Sequence, residues 1–594
     1  MLTPAVSVTS AVAGIALSVP SVTPNIGPIS IAFLAALFLI QRFGTAKVSA
    51  IFSPVTFLWL LVLFGTGIYN ITLFPGIFRA FDPSRAVMWF VRTGQYDLLS
   101  GVILALTGCE AMFANLGQFN RLSIQLSFTF VVYPATITAF LGQGARLITN
   151  GDTVIQNVFY ASIPGGPGSG VYWFIYVLAI LATIVASQAI ITATFSLFQQ
   201  VINLKSLPPV RMNYTSEKIQ GQIYIPSVNW LLCAGTIIFV LVFPDLSKLT
   251  NAYGFAVATV MIVTTTLITL QIPHVKQHSW FLAAAWLAFF GFIDALFWGA
   301  TLRKVPLGAW VPLLVGCIAT AFMVFWTWAK GLEDTFDGAN RRNLRQIISK
   351  ELNQQPIATF LPTYTYTTTS ASTIDSEDGP VTTAQSIGPP AEDATTEDFQ
   401  LFLDAEGQEK ILLPRMSTMA IFHKLSSGKG IPHTFYGFLK QWPALPRVVV
   451  FLSVRIMPVA HVDREDQYQI SKVRTLSGFY GATYMKGFRD PFNIDVPAIV
   501  RLITAVEART NESLDEADRI NDEVEAASKN PTHVVPHYHV VSRRLVILGA
   551  PIINRIRRIL IDDVYRSIAY VFPETVTWLQ SPDEIIHVGV VAKI

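Results

Sequence analysis

The stretch Leu98-Leu-Ser-Gly-Val-Ile-Leu-Ala-Leu-Thr-Gly-Cys-Glu-Ala-Met-Phe-Ala-Asn-Leu-Gly117 is long enough to cross a bilayer, yet carries Thr107, Gly108 and Glu110 at its middle. A carboxylate at the centre of a membrane helix costs roughly 2.5–3.5 kcal/mol on insertion scales, so it normally has a partner or a task. Gly108 is a point where the helix can unwind and free backbone carbonyls for a ligand. Acid, hydroxyl and helix breaker together make a candidate midplane cation site.

The rest of the chain agrees with a membrane setting. Of its 594 residues, 52% are hydrophobic and only 14% charged, against about 25% charged in soluble proteins. Further apolar stretches of spanning length run at 27–43, 51–72, 125–148, 171–200, 228–247, 252–272, 280–301 and 308–329, and a shorter one at 1–19. This predicts a transmembrane domain over residues 1–330 with about ten segments, the first of them partial. Lys and Arg are shared evenly between alternate loops, so charge does not orient the bundle.

Several function classes fall away. A net charge of +3 is too small at this length to argue for nucleic acid. Cys109, Cys233 and Cys317 lie in separate apolar stretches with neither metal-ligand nor disulfide spacing. No nucleophile elbow, phosphate loop or zinc signature stands in a supporting context, so the chain does not read as an enzyme. His274 and His278 are four apart but sit in a polar loop and read as solvated.

Beyond Lys330 the pattern changes. Glu333 to Lys350 carries Arg341, Arg342 and Arg345, which predicts an amphipathic exit helix at the membrane surface over 331–362. Residues 363–399 are rich in Thr, Ser, Pro, Asp and Glu and read as a disordered linker. From 400 to 594 an α/β pattern follows: strands at 447–454, 468–473, 540–548 and 587–594, and helices at 496–509 and 513–528.

Several motifs then fall into one register. Thr3-Pro-Ala-Val-Ser-Val8, Leu106-Thr-Gly-Cys-Glu-Ala-Met-Phe-Ala-Asn-Leu-Gly-Gln-Phe119, Ala186-Ser-Gln-Ala-Ile-Ile-Thr192, Gly221-Gln-Ile-Tyr-Ile-Pro226, Ala252-Tyr-Gly254 and Pro443-Ala-Leu-Pro-Arg-Val-Val-Val-Phe451 resemble, in order, those of the Kup/HAK/KT potassium transporters. The resemblance implies a polytopic α-helical membrane protein, a LeuT-like (APC superfamily) inverted-repeat bundle, followed by a cytosolic α/β regulatory and dimerisation domain. Residues 1–19 match the end of the family's third helix, so the chain looks N-terminally truncated against the family pattern.

The same resemblance implies K+ transport, coupled to H+ as a symport, in a plasma membrane with the C-terminal domain cytoplasmic. The expected partners are the lipid bilayer, the potassium ion and a second copy of the chain, with no cofactor beyond the transported ions. Thr3 and Ser7, four apart on one helix face, and Thr107 would offer oxygens to K+. Glu110 would couple or gate through a carboxyl whose pKa is raised by burial, and Tyr253 would close over the site. Asn115 and Gln118 stand where the family has an acid and a histidine. Asp294 is a second intramembrane acid and a functional candidate by default, the alternatives being that it faces a loop end or pairs on the Arg303 side. The alternatives are a non-transporting truncated form with a sensor role, and a permease for another small cation or an amino acid.

Overall fold

The computed structural model describes the whole chain except residues 42–44, 115, 117–119, 156, 218–220, 244–245, 353–398, 405–409, 425–429, 474–475, 512–513, 545–549 and 573–583. Asn115, Gln118 and nearly all of the 363–399 linker lie outside the described residues.

In the first half, apolar runs form helices because lipid offers the backbone no hydrogen-bond partner and the helix satisfies it internally. The helices are α1 (Leu2–Ala13), α2 (Ile26–Ile40), α3 (Thr45–Leu73), α4 (Pro83–Thr93), α5 (Leu99–Val102) and α6 (Cys109–Ala114). They continue with α7 (Arg121–Val154), α8 (Gly170–Asn203), α9 (Pro226–Val242), α10 (Leu246–His274), α11 (Trp280–Leu302) and α12 (Trp310–Ala339). Among the described residues, seven helices are long and apolar enough to span a bilayer, and three shorter apolar ones cover 2–17, 96–105 and 226–242. The protein is thus polytopic. Serine and threonine in the spans turn their hydroxyls back on the preceding turn, as Ser30 does to the Ile26 carbonyl and Thr236 to that of Leu232, each at 2.7 Å.

Small residues set the closest packing. A Cβ on Gly67 of α3 would lie 2.5 Å from the Thr138 carbonyl oxygen of α7, and one on Gly142 of α7 would lie 2.6 Å from the Gly67 carbonyl oxygen. The two backbones therefore touch, the small-residue packing that membrane helices use in place of a hydrophobic drive.

The exit from the membrane corrects the sequence reading. Of the surface helix expected over 331–362, residues 353–362 lie outside the described ones; before them α12 continues unbroken to Ala339, and a short turn at Leu344–Ile347 leads into strand β1 (Ile348–Leu352). β1 pairs antiparallel with β2 (Phe399–Leu403), which pairs with β3 (Ile411–Leu412). The polar residues of the last turns of α12 are not a solvated face. Lys330, Glu333 and Asp337 are buried against the C-terminal half, where they find partners.

The C-terminal half is a six-stranded sheet built from β4 (Arg415–His423), β5 (Leu445–Met457), β6 (Tyr468–Lys472), β7 (Phe479–Gly487), β8 (Pro531–Val541) and β9 (Glu584–Lys593). The order is β9-β8-β4-β5-β7-β6, parallel except for β6, the antiparallel edge strand. β8 lies about ten residues before the strand expected at 540–548; its three histidines and two prolines hide it from an apolar-run reading. β5 alternates strictly. Val448, Val450 and Leu452 pack on α14 (Val496–Thr510) and α15 (Leu514–Ala527), reached after α13 (His433–Gln441), while Val449 and Phe451 pack on Phe435 and Leu439 of α13. Burial on both faces explains its β-branched run.

Candidate functional site

The stretch that opened the sequence reading breaks in the structure. α5 tightens into a 3₁₀ turn over Ile103–Leu106, Thr107 takes an extended conformation (φ −76°, ψ 159°), and Gly108 adopts φ +117° before α6 begins. Glycine reaches that φ without the steric cost an L side chain would meet, and no atom lies within 4 Å of where its Cβ would be. Glu110 sits in the first turn of α6; its side chain is outside the described ones. Half-buried Thr107 donates its hydroxyl to the Leu104 carbonyl at 3.0 Å, and Met112 N–H donates to the Gly108 carbonyl at 3.3 Å. Such local bonds are worth only about 0.5–1.5 kcal/mol net.

Two long helices frame the break. α6 packs on α8, while α5 and its 3₁₀ continuation pack on α10. At that second contact a Cβ on Gly254 would lie 3.5 Å from the Ser100 carbonyl oxygen and 3.4 Å from the Leu104 side chain. α1 packs on the same two helices, α8 and α10. Thr3 and Ser7, both half-buried on α1, are therefore joined to the Thr107–Gly108 break through shared neighbours, and half-buried Tyr253 precedes the close-packed Gly254.

Buried polar groups hold this frame. The end of α1 is fixed by two tyrosines: Tyr160 donates its hydroxyl to the Ala11 carbonyl at 3.2 Å and Tyr172 to that of Gly14 at 2.6 Å. Gln188 of α8 and Asn229 of α9 donate side-chain N–H groups to the Leu37 and Phe38 carbonyls near the end of α2, each at 3.2 Å. These ties satisfy carbonyls that a helix end leaves open.

Asp294 is buried on α11 and accepts a 2.6 Å hydrogen bond from Thr265 of α10. Arg303 pairs instead with Asp97 at 3.0 Å, on the exposed surface. A hydroxyl on the neighbouring helix, not a cation, is what Asp294 meets. His274 and His278 are exposed, and among the described residues no cluster of three or more His, Cys, Asp or Glu could hold a metal.

A second polar constellation was invisible to the sequence reading. At the end of α12, Lys330 Nζ donates to Glu333 at 2.8 Å, with both side chains about nine-tenths buried. Tyr565 donates its hydroxyl to Glu333, Tyr538 of β8 donates to Asp337 at 2.5 Å, and Arg341 pairs with Asp337 at 2.6 Å. Burial, reinforced by the bond to Asp337, raises the Tyr538 pKa far above the ordinary phenol. Beside this junction is a cavity of about 560 Å³, reached by His537, His539 and Arg566. The partners lie more than 200 residues apart in sequence, so no local pattern announces them.

Comparison with known proteins identifies the class. Residues 1–331 match the K+ potassium transporter integral membrane domain, and residues 417–594 match the K+ potassium transporter C-terminal domain. A high affinity potassium transporter of Schwanniomyces occidentalis is 33% identical over 511 residues, 83% of this chain and 60% of that protein. Potassium transporter 4 of Arabidopsis thaliana is 33% identical over 477 residues, 80% of this chain and 52% of that protein. The chain belongs to the Kup/HAK/KT potassium transporters, a family of transporters and not of enzymes. It spans roughly half to three-fifths of the length of these curated relatives.

Proposed function

We propose that the protein carries K+ across the membrane at the Thr107–Gly108 break, in symport with H+. The observation that carries this reading is the non-helical backbone at membrane depth. Unwound backbone is tolerated there where it lines a cavity or is enclosed by protein, and it supplies carbonyl oxygens for a cation. Thr107 offers a hydroxyl at the break, and Thr3 and Ser7 offer hydroxyls from α1. K+ is held when such oxygens replace its hydration shell.

In this proposal Glu110 takes up the coupling proton, and Tyr253 on α10 gates access. The surrounding helices form a LeuT-like inverted-repeat bundle in which one repeat rocks against the other. The C-terminal α/β domain is cytoplasmic and pairs with its copy to form a homodimer in the plasma membrane. Membership of the family and the printed names of the relatives support potassium as the cargo.

The test is uptake of rubidium, a potassium surrogate, by potassium-uptake-deficient cells expressing this polypeptide. Saturable uptake that collapses with a protonophore and weakens in Thr107→Ala is expected. Uptake no higher than in empty cells, with the protein present at the surface, overturns autonomous transport. Uptake indifferent to the proton gradient removes the coupling role of Glu110.

A further inference from the structure

Over the described residues 331–352 the end of α12 and a strand stand where an amphipathic surface helix was expected, yet a segment of that character occurs about two hundred residues later. α16 (Ala550–Arg558) continues through a π-helical turn at Ile559–Tyr565 into α17 (Arg566–Val571). One side is anchored: Ile561 and Tyr565 are buried in a cluster with Trp326 and Ala329 of α12. The other side is not. Ile552, Ile553, Ile556 and Ile559, recurring at helical spacing, are 45–71% exposed, and Tyr570 and Val571 extend the apolar surface. Arg555, Arg558 and Arg566 are also exposed on the same segment.

Its position decides what meets that face. Arg557 places its guanidinium 5.4 Å from the Trp328 ring centroid, at the point where α12 passes from its apolar run to Lys330. Tryptophan at such a transition marks the interfacial level of a bilayer. Leu560 goes further, lining an outward-facing apolar groove with Val324, Phe325 and Trp328 of α12 and Phe255 of α10. The segment is therefore tied to spanning helices at the depth where hydrocarbon gives way to headgroups.

We propose that residues 550–572 lie in the membrane interface on the side that carries the C-terminal domain. The isoleucine face enters the acyl boundary, and the arginines bind anionic lipid headgroups. A strongly amphipathic helix with arginines beside an isoleucine face has the composition of an in-plane membrane helix. Basic residues near an anionic leaflet are attracted to it within a Debye length. The C-terminal domain is then held by lipid as well as by its contacts with α12, and its seating responds to the charge of the leaflet.

The experiment uses the full chain in phosphatidylcholine vesicles with and without phosphatidylserine. Spin labels are placed at Ile552→Cys, Ile556→Cys and Ile559→Cys in a background with Cys109, Cys233 and Cys317 replaced by alanine. A label at Asp463→Cys, in the exposed polar loop, reports the aqueous phase. Labels on the isoleucine face should show oxygen accessibility well above that to a water-soluble nickel chelate, and should sit deeper with phosphatidylserine. Arg555→Glu with Arg558→Glu should abolish that deepening. The unsubstituted protein gives an independent readout: amide exchange across 550–572 should slow when phosphatidylserine is present. Labels as accessible to nickel as the Asp463→Cys site overturn the proposal. So does spin–spin broadening that vanishes on dilution with unlabelled protein, which would place a second copy on this face. Identical depth in the two lipids overturns the assignment to anionic headgroups.

Discussion

The break at Thr107–Gly108 and the junction at the end of α12 are both polar features of one membrane domain, built on opposite plans. At the break, the Thr107 hydroxyl bonds to its own preceding turn and the Gly108 carbonyl accepts from its own following helix. At the junction, each carboxylate is held by one neighbour on its own helix end and by one tyrosine distant in sequence: Glu333 by Lys330 and Tyr565, Asp337 by Arg341 and Tyr538. Groups bound only locally can exchange partners, whereas a buried network satisfied on all sides resists change. The contrast separates a break bonded along its own chain from a junction that ties α12 to the C-terminal half.

The largest effect should come from breaking the junction. Glu333→Ala leaves Lys330 buried without its carboxylate, at a cost of about 3–5 kcal/mol, while Lys330→Met with Glu333→Leu should be much milder. Thermal unfolding of the detergent-solubilised protein measures both. Singles as mild as loss of the exposed Lys205–Asp334 pair would erase the contrast.

The C-terminal sheet adds a buried histidine pair. His423 and His533 meet at 3.0 Å between β4 and β8, both essentially inaccessible. Burial, with His533 alongside, pushes the His423 pKa from 6.5 down to about 3. The folded chain thus refuses a proton that the unfolded chain accepts. Its contribution is intact above the ordinary pKa and is lost as pH falls towards about 3, by at most about 1.4 kcal/mol per pH unit. His423→Gln should flatten the acid limb of a stability–pH profile; an unchanged limb assigns acid sensitivity elsewhere.

Gly108→Ala tests the break with backbone alone, since space is open beside it. Holding alanine at φ +117° costs on the order of 1–3 kcal/mol. Rubidium uptake should fall about tenfold or more with surface abundance unchanged. Uptake like that of the unsubstituted protein would mean that the conformation is not used in the cycle. The smallest effect is expected for Thr107→Ala, a rise in the rubidium KM equivalent to about 0.5–1.5 kcal/mol, with Thr107→Ser near normal. Equal loss in both variants would point to packing of the methyl group instead of the hydroxyl.

How much of this was legible follows from range. Spans were readable because a bilayer demands long apolar runs, and the break was readable because Gly108 interrupts one. β5 was readable because burial on both faces leaves an unbroken β-branched run in the sequence. The exit helix was misread because Glu333 and Asp337 look solvated until Tyr565 and Tyr538 arrive from the far end of the chain. β8 was displaced in the reading because His533, buried against His423, is polar in sequence and core in the fold. Local periodicity reports faces; it does not report a distant residue that turns a charge inward.

The touching backbones of Gly67 and Gly142 bear on how such a bundle can move. Where two helices meet through side chains, rotamer changes let one slip past the other like teeth changing notch. At this crossing there are no teeth. Sliding would drive a carbonyl into an α-carbon, so α3 and α7 behave as a welded strut. Any relative motion of the helices must be absorbed on either side of that weld. A single methyl group at position 67 or 142 would pry the strut apart without touching the Thr107–Gly108 break.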